Sequence, residues 1–97
     1  MDLKNINSLL SKELPELKSK FQVATLEVFG SYIRKEQNSK SDLDLLVTFT
    51  KSPDLLKFID LENYLSNLFD LKVDLVMRSS LKPHIGKRIL SEAKPVS

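Results

Sequence analysis

Positions 29–47 read Phe29-Gly-Ser-Tyr-Ile-Arg-Lys-Glu-Gln-Asn-Ser-Lys-Ser-Asp-Leu-Asp-Leu-Leu-Val47, and two apolar runs meet in this stretch. The first run, Val23 to Phe29, is rich in β-branched and aromatic residues and stops at the Gly30-Ser31 pair, which predicts a strand followed by a turn. Ser31 to about Gln37 contains nothing that breaks a short helix, and the cluster Asn38-Ser39-Lys40-Ser41 has the composition of a loop. The second run opens with Asp42 and continues to Phe49 as another strand. Successive side chains of a strand point to opposite faces. Leu43, Leu45, Val47 and Phe49 therefore share one face, and Asp42, Asp44, Leu46 and Thr48 the other.

Downstream, Thr50 to Pro53 reads as a turn, with Ser52 as cap and Pro53 as the first residue of a helix. Leu55, Phe58, Leu61, Leu65, Leu68 and Phe69 would form its apolar stripe. Residues 71–77, LKVDLVM, alternate: Leu71, Val73, Leu75 and Met77 point one way, Lys72, Asp74 and Val76 the other. This third strand carries a third aspartate near its middle. A final helix runs from Leu81 to Ala93, started by Ser79 or Ser80 and stopped by Pro95. Upstream, Leu3, Ile6, Leu9 and Leu10 recur at helical spacing after a capping Asp2. Pro15 lacks an N–H and clashes with the preceding turn, so a break is expected near residues 12–14, with a second helical piece from Pro15 to Lys20. The resulting order, α-α-β-α-β-α-β-α, predicts an α/β fold: a small mixed β-sheet with helices packed on it.

With 97 residues the chain is long enough for a single domain, spanning 1–97, around one modest core. The absence of cysteine fits a reducing cytoplasm and excludes thiolate chemistry. One histidine, His84, leaves no set of residues for a structural zinc site. A net charge of +2 does not provide the concentrated basic face of a nucleic-acid binder. No apolar run approaches the ~20 residues that span a bilayer, and the N-terminus lacks the pattern of a signal peptide.

Asp42 and Asp44 are two like charges on one face of an otherwise apolar strand. Held together they repel each other unless protonated or neutralised, and such hard oxygen ligands suit Mg²⁺ bridging to phosphates. Asp74 repeats the pattern on another strand. Gly30 permits close backbone approach to a ligand, Ser31 adds a hydroxyl donor, and Arg34, one turn on, has a guanidinium able to fork onto phosphate oxygens. Each feature alone has a plain structural reading, since glycines end strands and acidic residues protect sheet edges. Three aspartates and a phosphate-compatible turn together break several local rules at once, which happens mainly at functional sites. His84 reads as a helix cap or surface residue, and Lys87 and Arg88 as a solvated helix face. Tyr32 could stack on a base or pack under the turn.

Gly30-Ser31, ten further residues, then Asp42-Leu43-Asp44, with Asp74 on a later strand, resembles the polymerase-β-type nucleotidyltransferase superfamily. The short chain is similar to its minimal nucleotidyltransferase (MNT) branch, many members of which are antitoxins encoded beside a HEPN-domain toxin. The resemblance covers almost the whole chain. One departure lies just past the turn, where Lys35 follows Arg34 in place of the family's usual glycine. The resemblance implies a nucleotidyltransferase fold and Mg²⁺-dependent transfer of AMP from ATP to a hydroxyl, with a tyrosine of a partner HEPN toxin as acceptor. It implies two metal ions held by Asp42, Asp44 and Asp74, with Asp74 also drawing the proton from the acceptor, and phosphates held by Gly30, Ser31 and Arg34. It further implies a cytoplasmic protein acting within a hetero-complex. Two other readings stay open: a non-catalytic antitoxin that blocks its partner by contact, and nucleotidyl transfer to a small molecule or an RNA end.

Overall fold

The computed structural model describes residues 2–36, 42–81 and 83–95, with only the backbone described for 83–85. The proposed loop from Asn38 to Ser41 and the side chain of His84 lie outside the described residues. Along the chain run α1 (Leu3–Phe21), β1 (Val23–Phe29), α2 (Ser31–Arg34), β2 (Leu43–Phe49), α3 (Leu55–Phe69), β3 (Val73–Met77), a 3₁₀ turn (Arg78–Ser80), α4 (Pro83–Glu92) and β4 (Lys94–Pro95). The strands form one mixed sheet in the order β3-β2-β1-β4. β1 is antiparallel to β2 and β4, whereas β2 and β3 are parallel. The expected α/β architecture is the observed one.

Alternation along β2 sets the two faces of this sheet. Leu43, Leu45 and Val47 are fully buried and join Ile6, Leu10 and Leu17 of α1 and Leu61, Leu65 and Phe69 of α3 in one core. On β1 the register shifts between Val23 and Thr25. That irregularity lets Val23 and Leu26, an odd number of residues apart, both reach the core. The opposite face carries Glu27 and Phe29 of β1, Asp44 and Leu46 of β2, and Asp74 and Val76 of β3. Leu46 is buried there despite lying outside the main core. Its cross-strand neighbours are Glu27 and Val76, and an ion pair from Arg78 to Glu27 (3.5 Å) lies over the same side.

Several boundaries differ from the sequence reading, and α2 ends at Arg34, capped by Lys35, instead of running to about Gln37. α1 continues through Pro15 instead of breaking. A proline in a helix interior costs about 3 kcal/mol, but burying one large aliphatic side chain returns about 2 kcal/mol. Ile6, Leu10 and Leu17 are all at 0% exposure on one continuous stripe, so a break would forfeit more than it relieves. α3 starts later than expected, because Asp54, not Ser52, is its cap: the Asp54 carboxylate accepts from the Lys57 amide at 2.8 Å. Leu55 is consequently 73% exposed instead of lying in the core stripe. The last helix is shorter than Leu81 to Ala93, and beyond it Lys94 and Pro95 add an edge strand to β1, a position where a proline does no harm.

Candidate active site

Register brings the acidic residues together. Phe29 of β1 pairs with Asp44 of β2, and Asp44 pairs with Asp74 of β3, so the three form one row across the sheet. Neighbouring strands lie about 4.8 Å apart, which makes the Asp44 and Asp74 side chains direct neighbours on the face away from the core. Asp44 is half-buried and Asp74 is exposed. Asp42 lies two residues before Asp44, at the mouth of the strand, with its Oδ2 3.8 Å from Lys72 Nζ.

The Asp44 carboxyl is pushed up to about 6, first by burial, then by the charges of Asp74 and Asp42, with Glu92 adding and Arg34 opposing. A carboxyl in this state gains from any cation placed between it and Asp74. Among the described residues no group of three or more His, Cys, Asp and Glu side chains is already arranged to hold a metal ion. The donors are thus a facing pair, Asp44 and Asp74, with Asp42 nearby and drawn toward Lys72. Two hard carboxylates with a third in reach are the donor chemistry that fits Mg²⁺.

Gly30 closes the site from the β1 side. Its φ of 79° and ψ of −149° belong to a region open only to glycine, and its Cα backs onto the Asp44 carboxylate with no space for a side chain. Ser31 follows as the first residue of α2, partly exposed, and Tyr32 turns inward to 3% exposure within the core. Tyr32 therefore packs under the turn instead of offering a face to a base. Arg34 stands one turn later and is ion-paired on two sides. Its Nε donates to Glu36 Oε2 at 3.1 Å, and its Nη1 to both oxygens of Glu92 at 3.1 and 3.0 Å. Those bonds, Glu36 first and Glu92 next, hold its guanidinium above its ordinary pKa.

Phe29, Gly30, Arg34 and Asp44 line a hollow of about 510 Å³, closed on the far side by Arg88, Ile89 and Glu92 of α4. Of the six residues expected in the site, Gly30, Arg34 and Asp44 line this hollow. Asp74 stands beside Asp44 in the sheet, Ser31 opens α2 and Asp42 just precedes β2, these last three outside the lining. Glu92 was not foreseen, and Arg88, expected on a solvated face, lines the hollow. Both lie at a spacing of four on α4, one face of a helix, but nothing in the sequence tells which face meets the turn. A larger hollow of about 640 Å³, between Asp2, Lys4, Asn7, Tyr32 and Lys35, contains none of the three aspartates.

The nucleotidyltransferase domain family matches residues 10–96, a span that includes every element described above except the first turns of α1. The chain belongs to that family. As a nucleotidyltransferase domain it is 50% identical over 92 residues to protein adenylyltransferase MntA of Thermococcus cleftensis, covering 95% of this chain and 93% of that one. A solved structure described as a minimal nucleotidyltransferase superposes with a TM-score of 0.82 at 35% identity, over 98% of this chain and 96% of the other. A toxin–antitoxin crystal structure with AMP-PNP shares the fold, with a TM-score of 0.73 at 24% identity over all of this chain and 73% of the other.

The departure at Lys35 acquires a physical meaning in this nucleotidyltransferase. Lys35 caps α2 in the left-handed conformation, φ 58° and ψ 36°, with its amide bonded to the Ser31 carbonyl. That conformation is the one glycine adopts without cost, so lysine meets it here under strain. The same conformation ends α1 at Gln22 and α3 at Asp70.

Proposed function

We propose that this nucleotidyltransferase is a Mg²⁺-dependent protein adenylyltransferase. It would transfer AMP from ATP to a tyrosine hydroxyl of a HEPN-type toxin, acting as that toxin's antitoxin. The observation that carries the reading is the pairing of Asp44 with Asp74 on neighbouring parallel strands, with Gly30 set against Asp44. The relative named as a protein adenylyltransferase supports a protein acceptor.

Asp42, Asp44 and Asp74 would hold the metal, whose chemistry is to neutralise charge on the attacking and leaving oxygens of an in-line displacement. Gly30, Ser31 and Arg34 bind the β- and γ-phosphates: a backbone N–H, a hydroxyl and a guanidinium form a donor set matched to phosphate oxygens. In the transfer, the acceptor hydroxyl oxygen bonds to the α-phosphorus and the bond from that phosphorus to the α,β-bridging oxygen breaks. Pyrophosphate leaves, and the hydroxyl proton passes to the carboxylate of Asp74, the most exposed of the row. Among the described residues no helix is long and apolar enough to cross a membrane. The lack of cysteine fits a cytoplasmic site of action.

The test is incubation of the protein with ATP labelled at the α-phosphate, Mg²⁺ and the HEPN-type partner, followed by mass spectrometry of the partner. An added AMP on a tyrosine is the expected product, lost in the double variant Asp42→Ala, Asp44→Ala. A specific observation favours one other reading. Leu55, Leu56 and Ile59 stand exposed at the start of α3, at 73%, 74% and 41%, and offer apolar surface to a partner blocked by contact alone. Neutralisation of the partner that persists in the double variant would decide for contact.

A further inference from the structure

Glu92 comes 62 residues after Gly30, yet its Oε1 accepts from the Gly30 amide at 3.2 Å. The same carboxylate takes two bonds from Arg34 Nη1, at 3.1 and 3.0 Å. The strand just beyond it fixes its placement: Lys94 and Pro95 pair with Val28 and Glu27 immediately before the turn, which draws the end of α4 over the hollow. The Glu92 side chain is only 20% exposed there. A carboxylate on one amide and one guanidinium uses the donors that a phosphate would use, and two anions cannot share them.

We propose that Glu92 is a built-in competitor for the β- and γ-phosphates of the nucleotide. It holds Gly30 and Arg34 in place when no ligand is bound, yields to a polyphosphate, and returns as pyrophosphate leaves. The inference rests on the reading of this hollow as a nucleotide site. The exchange is feasible because Arg34 is 39% exposed, so its bond to Glu92 is screened by water and weak, whereas a polyphosphate brings several charges. The released carboxylate also has a new partner within reach. Arg88 lies four residues earlier on the same helix face and lines the same hollow, and among the described residues it makes no ion pair.

The test compares the whole protein with Glu92→Gln by calorimetric titration of ATP, pyrophosphate and AMP in Mg²⁺. Removing the competitor should tighten ATP and pyrophosphate on the order of fivefold and leave AMP, whose one phosphate sits at the aspartates, unchanged. Glu92→Asp, one methylene shorter, should move in the same direction by less, and thermal melts confirm that both variants fold. A merely structural Glu92 would weaken all three ligands together in the variant, and that result overturns the proposal. So does unchanged or weaker ATP and pyrophosphate binding with AMP unaltered. If wild type and variants alike bind none of the three, the nucleotide reading itself has failed and the competitor falls with it.

Discussion

Gly30 and Asp44 are in contact through the only side of Gly30 where a side chain could grow: a Cβ there would lie 3.0 Å from the Asp44 Cγ and overlap its carboxylate. The pairing of Phe29 with Asp44 forces this approach, since the turn begins on the next residue. One peptide bond thus joins the glycine turn to the acidic row, so a shift in one is felt by the other. Gly30→Ala meets both the collision and a backbone conformation closed to alanine, a cost of about 1–3 kcal/mol. Urea unfolding should show that loss and titration should show ATP binding abolished. Wild-type behaviour in both would mean that Asp44 is free to swing away and is not fixed by the turn.

Asp44 also makes the metal-free protein less stable as it ionises. Its carboxyl has an ordinary value of 3.8 and is pushed up to about 6 in the fold. The native state therefore holds the proton more tightly than the unfolded chain, so the contribution of Asp44 to stability is greatest below pH 3.8 and declines as pH rises from there through about 6. A shift of that size corresponds to about 3 kcal/mol for a buried group. Asp44 is half-exposed and water screens it, which reduces the expectation to about 1 kcal/mol. Asp44→Asn should gain that much at pH 7 and nothing at pH 4, while losing nucleotide binding in Mg²⁺. Denaturation at the two pH values tests it, and a variant equally stable or weaker at pH 7 would refute the repulsion.

The same carboxyl sets an acid limit on function. Below about 6 it is protonated in the free protein, and a cation must displace that proton to bind. The dissociation constant for Mg-ATP should therefore rise by up to about tenfold per pH unit below that point. Binding at pH 6 should release protons, seen as a dependence of calorimetric heat on the ionisation enthalpy of the buffer. Heats identical in all buffers would place Asp44 outside the metal site.

How much of this was legible in the sequence depends on the range of the interaction concerned. The first three strands, the shared face of Asp42 and Asp44, and the turn at Gly30 follow from local rules of alternation and backbone freedom. Asp74 could be assigned to a strand, but its place beside Asp44 required the parallel register of β2 and β3. Glu92 was invisible because its role comes from β4, a two-residue strand containing a proline, which no periodicity announces. Pro15 misled in the opposite way. Its local cost is real, and only the buried stripe of Ile6, Leu10 and Leu17 explains why the helix continues.

That explanation of Pro15 is itself testable. If packing alone carries α1 through the proline, then Pro15→Ala restores a donor and removes a clash at an exposed position with no loss of contacts. Stability should rise by about 1–3 kcal/mol, read as a higher urea midpoint with an unchanged slope. A destabilised variant would show that Pro15 shapes the helix in a way the core depends on.

Lys35 allows the strain at the turn to be separated from the chemistry. It occupies the left-handed cap of α2 at φ 58°, where a non-glycine residue costs about 1–2 kcal/mol. Glycine removes that strain but adds backbone freedom to the unfolded chain, which takes back about 0.5–1 kcal/mol. Lys35→Gly should therefore raise stability by a net ~0.5–1 kcal/mol. Arg34 keeps its bonds to Glu36 and Glu92 in this variant, so the groups proposed to bind phosphate stay in place and ATP affinity should change by less than about twofold. Urea unfolding and ATP titration of the one variant separate the two possibilities. A stability gain with unaltered binding assigns Lys35 to the backbone alone, whereas a marked fall in ATP affinity would make its ammonium a phosphate ligand.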